Sequence, residues 1–317
     1  MTNPIPTPAA PLRLGTRRSP LAMAQAIETR ARLCAAHGWE DSAIELVPVT
    51  ASGDRIQDRP LAEIGGKALW TKELDAWLVA GEIDFAVHSL KDVETIRPAA
   101  IAIAAILPRE DVRDCLVGAA SIMALPQGAR VGTSAPRRAA QLLHARPDCT
   151  VVPFRGNVAT RLAKLAAGEA DATLLALAGL NRLGEHGVGH PLAAHDWLPA
   201  PGQGAIAIEC RANDTATCAL LSAIDDAPSR HAVFAERALL AALGGNCHSP
   251  IAVLTQSEGH DLHVRCALYS PDGAERIEGE IRFAAGDMAA PARLAADLLA
   301  RAPAAIRVHF SGPMQAA

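Results

Sequence analysis

Lys91-Asp92 stands just beyond Ile83–Val87, which reads as a buried strand ending at His88-Ser89-Leu90. Open α/β sheets bind ligands just outside the carboxyl ends of their strands. A carboxylate there can act as acid, base or stabiliser of a cation, and the neighbouring ammonium can hold an anion. A solvated ion pair in a turn explains the same two residues equally well. A second constellation, Gly132-Thr133-Ser134-Ala135-Pro136-Arg137-Arg138, sets two hydroxyls and two arginines at a helix start. Backbone N–H groups and the helix dipole favour an anion at such a place. Capping by Thr133 or Ser134 accounts for the hydroxyls but not for the paired arginines. Arg155-Gly156-Asn157 and Arg161 lie at the next strand-to-helix junction, and Arg182 follows Leu177-Ala178-Gly179-Leu180. Arg17-Arg18-Ser19 marks a further junction near the start of the chain. Each of these alone also reads as a surface arginine bonded to loop carbonyls.

Twenty-six of the thirty cationic side chains are arginine, and only Lys67, Lys72, Lys91 and Lys164 are lysine. A compositional bias explains part of that total but not the clustering at loops. The guanidinium is a planar fork that grips a carboxylate or phosphate in two places at once. The clusters therefore point to a ligand with several anionic groups. Gly65-Gly66-Lys67 belongs with them but lacks the spacing of a nucleotide-binding loop. Cys247 lies in Gly244-Gly245-Asn246-Cys247-His248-Ser249-Pro250, a glycine-bearing loop where a thiol is more accessible than in a core. The other six cysteines read as small buried hydrophobes.

Composition narrows the classes. The net charge is −4 and aromatic residues are 3% of the chain. Nucleic-acid binders carry a basic surplus and stacking aromatics, so no nucleic acid is expected. The seven cysteines are scattered with no C-x-x-C, so metal and redox motifs are not expected, and free thiols fit a reducing cytoplasm. No stretch reaches the roughly 18 apolar residues of a membrane span. Met1–Pro11 lacks the basic start and apolar run of a secretory signal.

The elements that must position these residues alternate between strand and helix. Leu12–Thr16 reads as a strand, and Ser19 with Pro20 opens a helix to about Ala36. Ala43–Val49 is a strand, Thr71–Val79 a helix, and Ile83–Val87 a strand. The pattern restarts with strands at Cys115–Val117 and Arg130–Gly132, a helix from Ser134, a strand at Thr150–Phe154, a helix over Asn157–Ala167 and a strand at Ala172–Leu175. Two α/β lobes with parallel sheets follow. Ala205–Glu209 reads as a strand returning the chain to the first lobe. Beyond about Ala227 come a helix to Leu243, strands around 251–255, 262–269 and 275–283, and a last helix near 286–300, a small α+β unit. The expected division is 1–106 with 203–224, then 107–202, then 225–317.

At these residues the sequence resembles the porphobilinogen deaminase family. The resemblance rests on Leu14-Gly15-Thr16-Arg17-Arg18-Ser19-Pro20-Leu21-Ala22, Gly65-Gly66-Lys67, Val87-His88-Ser89-Leu90-Lys91-Asp92-Val93, Val131-Gly132-Thr133-Ser134 with Arg137-Arg138, Phe154-Arg155-Gly156-Asn157-Val158, Pro201-Gly202-Gln203-Gly204-Ala205 and the Cys247 loop. The matches run in family order from about residue 12 to 255.

The resemblance implies two lobes like those of periplasmic binding proteins and a third domain carrying the cysteine. It implies a transferase that adds four porphobilinogen units to a dipyrromethane cofactor, joined to Cys247 by a thioether, and releases hydroxymethylbilane by hydrolysis. It implies Asp92 as the catalytic carboxylate. Lys91, Ser134, Arg137, Arg138 and Arg155 would bind the cofactor, and Arg17, Ser19, Arg161 and Arg182 the substrate. Lys67 and Trp70 would also bind substrate, from a mobile loop over the cleft, Ala51–Ala68 would form a lid, and the protein would be a monomer. The sequence departs from the family's usual pattern at Ala68, at Ala135-Pro136, where a hydroxyl contact is lost, and at Asn246, where a glycine is usual.

Overall fold

The computed structural model describes residues 7–49, 71–246 and 248–313. They form two compact units: Met1–Arg109 with Ala205–Arg230, and Glu110–Gly204 with His231–Ala317. The chain thus passes between units at 109/110, 204/205 and 230/231. The second unit contains both the expected second lobe and the expected C-terminal domain, each with its own sheet.

In the first unit, β1 (Leu12–Arg17) leads into α1 (Pro20–His37), followed by β2 (Ile44–Val49), α2 (Lys72–Ala80), β3 (Phe85–Ser89) and β4 (Ile101–Ile106). The sheet has the order β2-β1-β3-β10-β4, with β10 (Ile206–Arg211) supplied by the returning chain. Both β1 pairings are parallel, but β10 runs antiparallel to β3 and β4. The sheet is therefore mixed rather than parallel, because the strand that returns from the other unit enters from the opposite end. The strand over Ile101–Ile106 was not anticipated; its alanine-rich alternation is a weak period-2 signal.

Local chemistry sets the ends of α1. Ser19 is its N-cap and accepts from Ala22 N at 3.4 Å, Pro20 takes the first turn, and Gly38 closes it in the left-handed region. Gly15 lets β1 lie close to its neighbours, since a Cβ there would sit 2.3 Å from Ile83 Cδ1. Leu14, Leu33, Phe85, Val87, Ile206 and Ile208 fill the core on one face.

The second unit repeats the plan. β5 (Asp114–Val117), β6 (Arg130–Gly132), α3 (Pro136–Ala145), β7 (Thr150–Val152), α4 (Val158–Ala166), β8 (Ala172–Ala176), α5 (Leu177–Arg182) and the two-residue β9 (His190–Pro191) build a sheet of order β7-β6-β8-β5-β9. Again one inner strand, β5, is antiparallel to its neighbours. A separate antiparallel sheet of β11 (Ile251–Glu258), β12 (Asp261–Tyr269) and β13 (Arg276–Ala284) packs against α7 (Ala227–Ala242) and α8 (Ala290–Arg301). α6 (Thr215–Leu221) lies in the first unit.

Candidate functional site

The carboxyl ends of β1 and β3 meet in the first unit around a small pocket. Arg17, Ser19, Gln25, Thr71, His88, Ser89 and Asp92 line it. Arg17 is the last residue of β1, and Asp92 closes the 3-10 turn that follows β3. That turn is held where Leu90 N donates to Ala205 O at 3.0 Å, so the residue just before β10 helps place Asp92. Asp92 is exposed, while Arg17, Ser19 and Lys91 are half-buried. Of the residues expected in this unit, the structure brings Arg17, Ser19 and Asp92 together; Lys91 is adjacent in sequence but does not line the pocket.

The pocket also holds polar groups to which the sequence motifs assign no site role. Gln25 Nε2 donates to Ser89 Oγ at 2.8 Å. His88 is buried with Nε2 3.4 Å from Glu209 Oε2, and Glu209, fully buried, accepts from Arg97 Nε and Nη2 at 2.9 Å each. Arg97 also donates to Asp75 Oδ1 at 2.5 Å. Burial first, and then the Arg97 charge, push the His88 imidazole down to about 4, so it is neutral at physiological pH. Glu209 and Arg97 are 112 residues apart, and no local pattern announces the pair.

The second unit presents a different set. Asn157 caps α4, accepting from Thr160 N at 2.9 Å, and Gly156 before it has φ 107°, a left-handed backbone that suits glycine. Arg155, Arg161 and Arg182 are half-buried. Arg161 Nε donates to Gly156 O at 3.0 Å, and Arg182, at the end of α5, donates to Gly204 O at 2.9 Å. Ser134 is exposed and donates to Phe154 O at 3.0 Å, so it does not cap α3, whose N-cap is Ala135 with no side-chain bond.

Arg137 and Arg138 were expected to offer open forks to an anionic ligand. The structure places both inside the unit, each about one-twentieth exposed. Arg137 Nη2 and Trp197 Nε1 donate to Asp114 Oδ2 at 2.7 and 2.8 Å. Arg138 Nη2 and Gln203 Nε2 donate to Asp114 Oδ1 at 2.7 and 2.8 Å. The remaining Nη1 atoms donate to Leu198 O at 2.8 Å and Leu174 O at 2.9 Å. The physical reason is charge: Asp114, fully buried at the start of β5, needs cationic donors. Burial works to raise its carboxyl, but Arg137 and Arg138 outweigh it and hold the group well below the usual carboxylate range. Two cations on one carboxylate leave a net positive charge beside the start of α3. Asp114, Trp197 and Gln203 were missed as a group; an aspartate opening a buried strand was the one available signal.

Lys67, Trp70 and Cys247, and the expected lid over Ala51–Ala68, lie outside the described residues. Among the described residues, no helix is long and apolar enough to cross a membrane.

The first unit is thus an α/β unit in which a carboxylate, Asp92, shares a strand-end pocket with Arg17, and the second is an α/β unit with Arg155 just after a strand. Comparison with known proteins gives the family. Residues 12–219 match the family model described as the porphobilinogen deaminase dipyrromethane cofactor binding domain, and residues 231–300 the porphobilinogen deaminase C-terminal domain. The chain is 58% identical over 315 residues to a porphobilinogen deaminase of Sphingopyxis alaskensis, covering 98% of this chain and 99% of that protein. It is 52% identical over 304 residues to that of Paracoccus denitrificans, covering 95% and 97%. A periplasmic VFT2 domain of Bordetella pertussis BvgS aligns with a TM-score of 0.38 at 18% identity, covering 68% of this chain and 86% of that one.

The chain belongs to the porphobilinogen deaminase family. It is an enzyme of tetrapyrrole synthesis, a transferase that polymerises pyrrole units with a dipyrromethane cofactor.

The residues present suit such a group chemically. A dipyrromethane carries acetate and propionate side chains, and the first unit keeps Lys91, the second Arg155, as half-buried cations rather than fully solvated ones. Such cations grip carboxylates more strongly than surface charges do.

Proposed function

We propose that Asp92 is the catalytic carboxylate and that the enzyme joins four porphobilinogen units head to tail and releases hydroxymethylbilane. The observation that carries this reading is the pocket shared by Arg17, Ser19 and Asp92 at the ends of β1 and β3. A porphobilinogen molecule brings two carboxylates and an aminomethyl group. Arg17 pairs with a carboxylate, and the Ser19 hydroxyl donates to it. As ammonia leaves, positive charge develops on the substrate's pyrrole nitrogen, and Asp92 stabilises it and relays the proton. The neutral His88 beneath adds no charge to compete with that cation.

Lys91, Ser134 and Arg155 hold the cofactor, which joins Cys247 through a thioether. Bound there, the cofactor supplies the nucleophilic pyrrole carbon on which the chain is built. Arg161 and Arg182 bind substrate carboxylates, and Lys67 and Trp70 also bind substrate. Arg137 and Arg138 act through Asp114, as fixed positive charge and as the anchor of α3. The enzyme works as a cytoplasmic monomer of three domains, with 225–317 as the third, and no nucleic acid takes part.

Intact-protein mass spectrometry tests the attachment. The purified protein should exceed its sequence mass by two linked pyrroles, and peptide mapping should place them on Cys247. An active enzyme without the adduct, or one carrying it on another cysteine, overturns the assignment.

A further inference from the structure

Two cysteines that the pyrrole chemistry does not use meet in the core of the first unit. Cys210 lies on β10 and Cys218 on α6, and their sulfurs are 3.1 Å apart. The short connection between them is stiffly held. Arg211 pairs with Asp214 at 2.7 Å, and Asp214 caps α6 through Thr217 N at 3.0 Å and Thr217 Oγ1 at 2.9 Å. The two thiols therefore face each other by construction of the turn, not by chance of two mobile side chains. Cys210 is fully buried and Cys218 half-buried, so only one of the pair meets solvent.

We propose that Cys210 and Cys218 are a dithiol modification site, which hydroperoxide oxidants close to an intramolecular disulfide. The separation discriminates between the fates of a thiol pair. A disulfide requires the sulfurs to draw together by about 1 Å, to about 2.05 Å. A tetrahedral metal with bonds of about 2.3 Å requires them to move apart to about 3.8 Å. A metal also needs further ligands, and among the described residues no group of three His, Cys, Asp or Glu is placed to hold one.

The steps balance. The Cys218 thiolate attacks a peroxide oxygen, the O–O bond breaks, and Cys218 becomes a sulfenic acid as one water forms. The Cys210 sulfur then displaces the hydroxyl, the S–S bond forms and the S–O bond breaks. A second water leaves with the Cys210 proton. Two thiols and one hydrogen peroxide thus yield one disulfide and two waters. The order follows from access and acidity: burial, reinforced by the bond to Cys218, pushes the Cys210 thiol up to about 12, which makes it the resolving partner rather than the first nucleophile.

Arg211 makes the test direct, because trypsin cuts between the two cysteines. The full-length protein is treated with one equivalent of hydrogen peroxide, alkylated and digested without reduction. Peptides 183–211 and 212–230 should appear joined, about 2 Da lighter than their sum, and reduction should separate them. In the Cys218→Ser variant, peptide 183–211 should be recovered fully alkylated. Recovery of both wild-type peptides separately alkylated overturns the proposal. So does Cys218 sulfinic acid beside an alkylated Cys210, or the linkage of either cysteine to a different one.

Discussion

Asp92 and Asp114 are both aspartates at the margin of a strand with arginines near them, and they differ in what surrounds the carboxylate. Asp92 is exposed in a pocket with Arg17. Asp114 is sealed and accepts four side-chain donors within 2.8 Å. The first is open to solvent; the second has its acceptor positions taken by the protein. The same contrast divides the arginines. Arg155 and Arg161 stand half-buried at the β7–α4 junction, whereas Arg137 and Arg138 are buried and paired with Asp114. A buried carboxylate two dozen residues upstream thus draws arginines near a helix start into the interior.

Exchanging each carboxylate for an amide puts that contrast at risk. Asp92→Asn should leave the thermal unfolding midpoint within a degree or two while turnover falls by about 100- to 10,000-fold, the usual worth of a positioned acid–base group. Normal turnover in a steady-state assay would remove Asp92 from its role. Asp114→Asn should act on stability, at a cost of about 3–5 kcal/mol in urea unfolding, since two buried guanidiniums lose their counter-charge. The sign with pH follows. A carboxyl held low in the folded state adds stability that is fully present above the ordinary aspartate range and is lost as pH falls towards its native value. The gap between wild type and Asp114→Asn should therefore narrow below about pH 4. A gap that is constant with pH would mean that packing, not charge, carries Asp114. The smallest effect separates the arginines: Arg161→Lys should raise the KM for porphobilinogen about 10- to 100-fold with stability unchanged, as one charged hydrogen-bonding fork is lost.

Much of the architecture was readable along the chain, because its cues are local. Ser19-Pro20 before an apolar stretch opens α1 as expected, and Asn157 after Arg155-Gly156 caps α4. The turn at Ser270-Pro271-Asp272-Gly273 joins β12 to β13. The direction of β10 was not readable. A buried strand of Ile, Ala, Glu and Cys looks the same whether its neighbours run parallel or antiparallel, and that choice depends on the end from which the chain re-enters the sheet.

By itself the sequence determined the family, through ordered motifs over most of the chain, and with it the class of reaction. Residue type and spacing suffice for that, because helix starts, tight turns and strand ends are short-range events. Only the tertiary structure decided which arginines remain at the loops and which are bound to Asp114, and that His88 rests against Glu209 and Arg97. Partners 23, 89 and 112 residues apart meet only when sheets close. Burial then sets each charge's partner, because a charged group removed from water must find its counter-charge wherever the fold brings one.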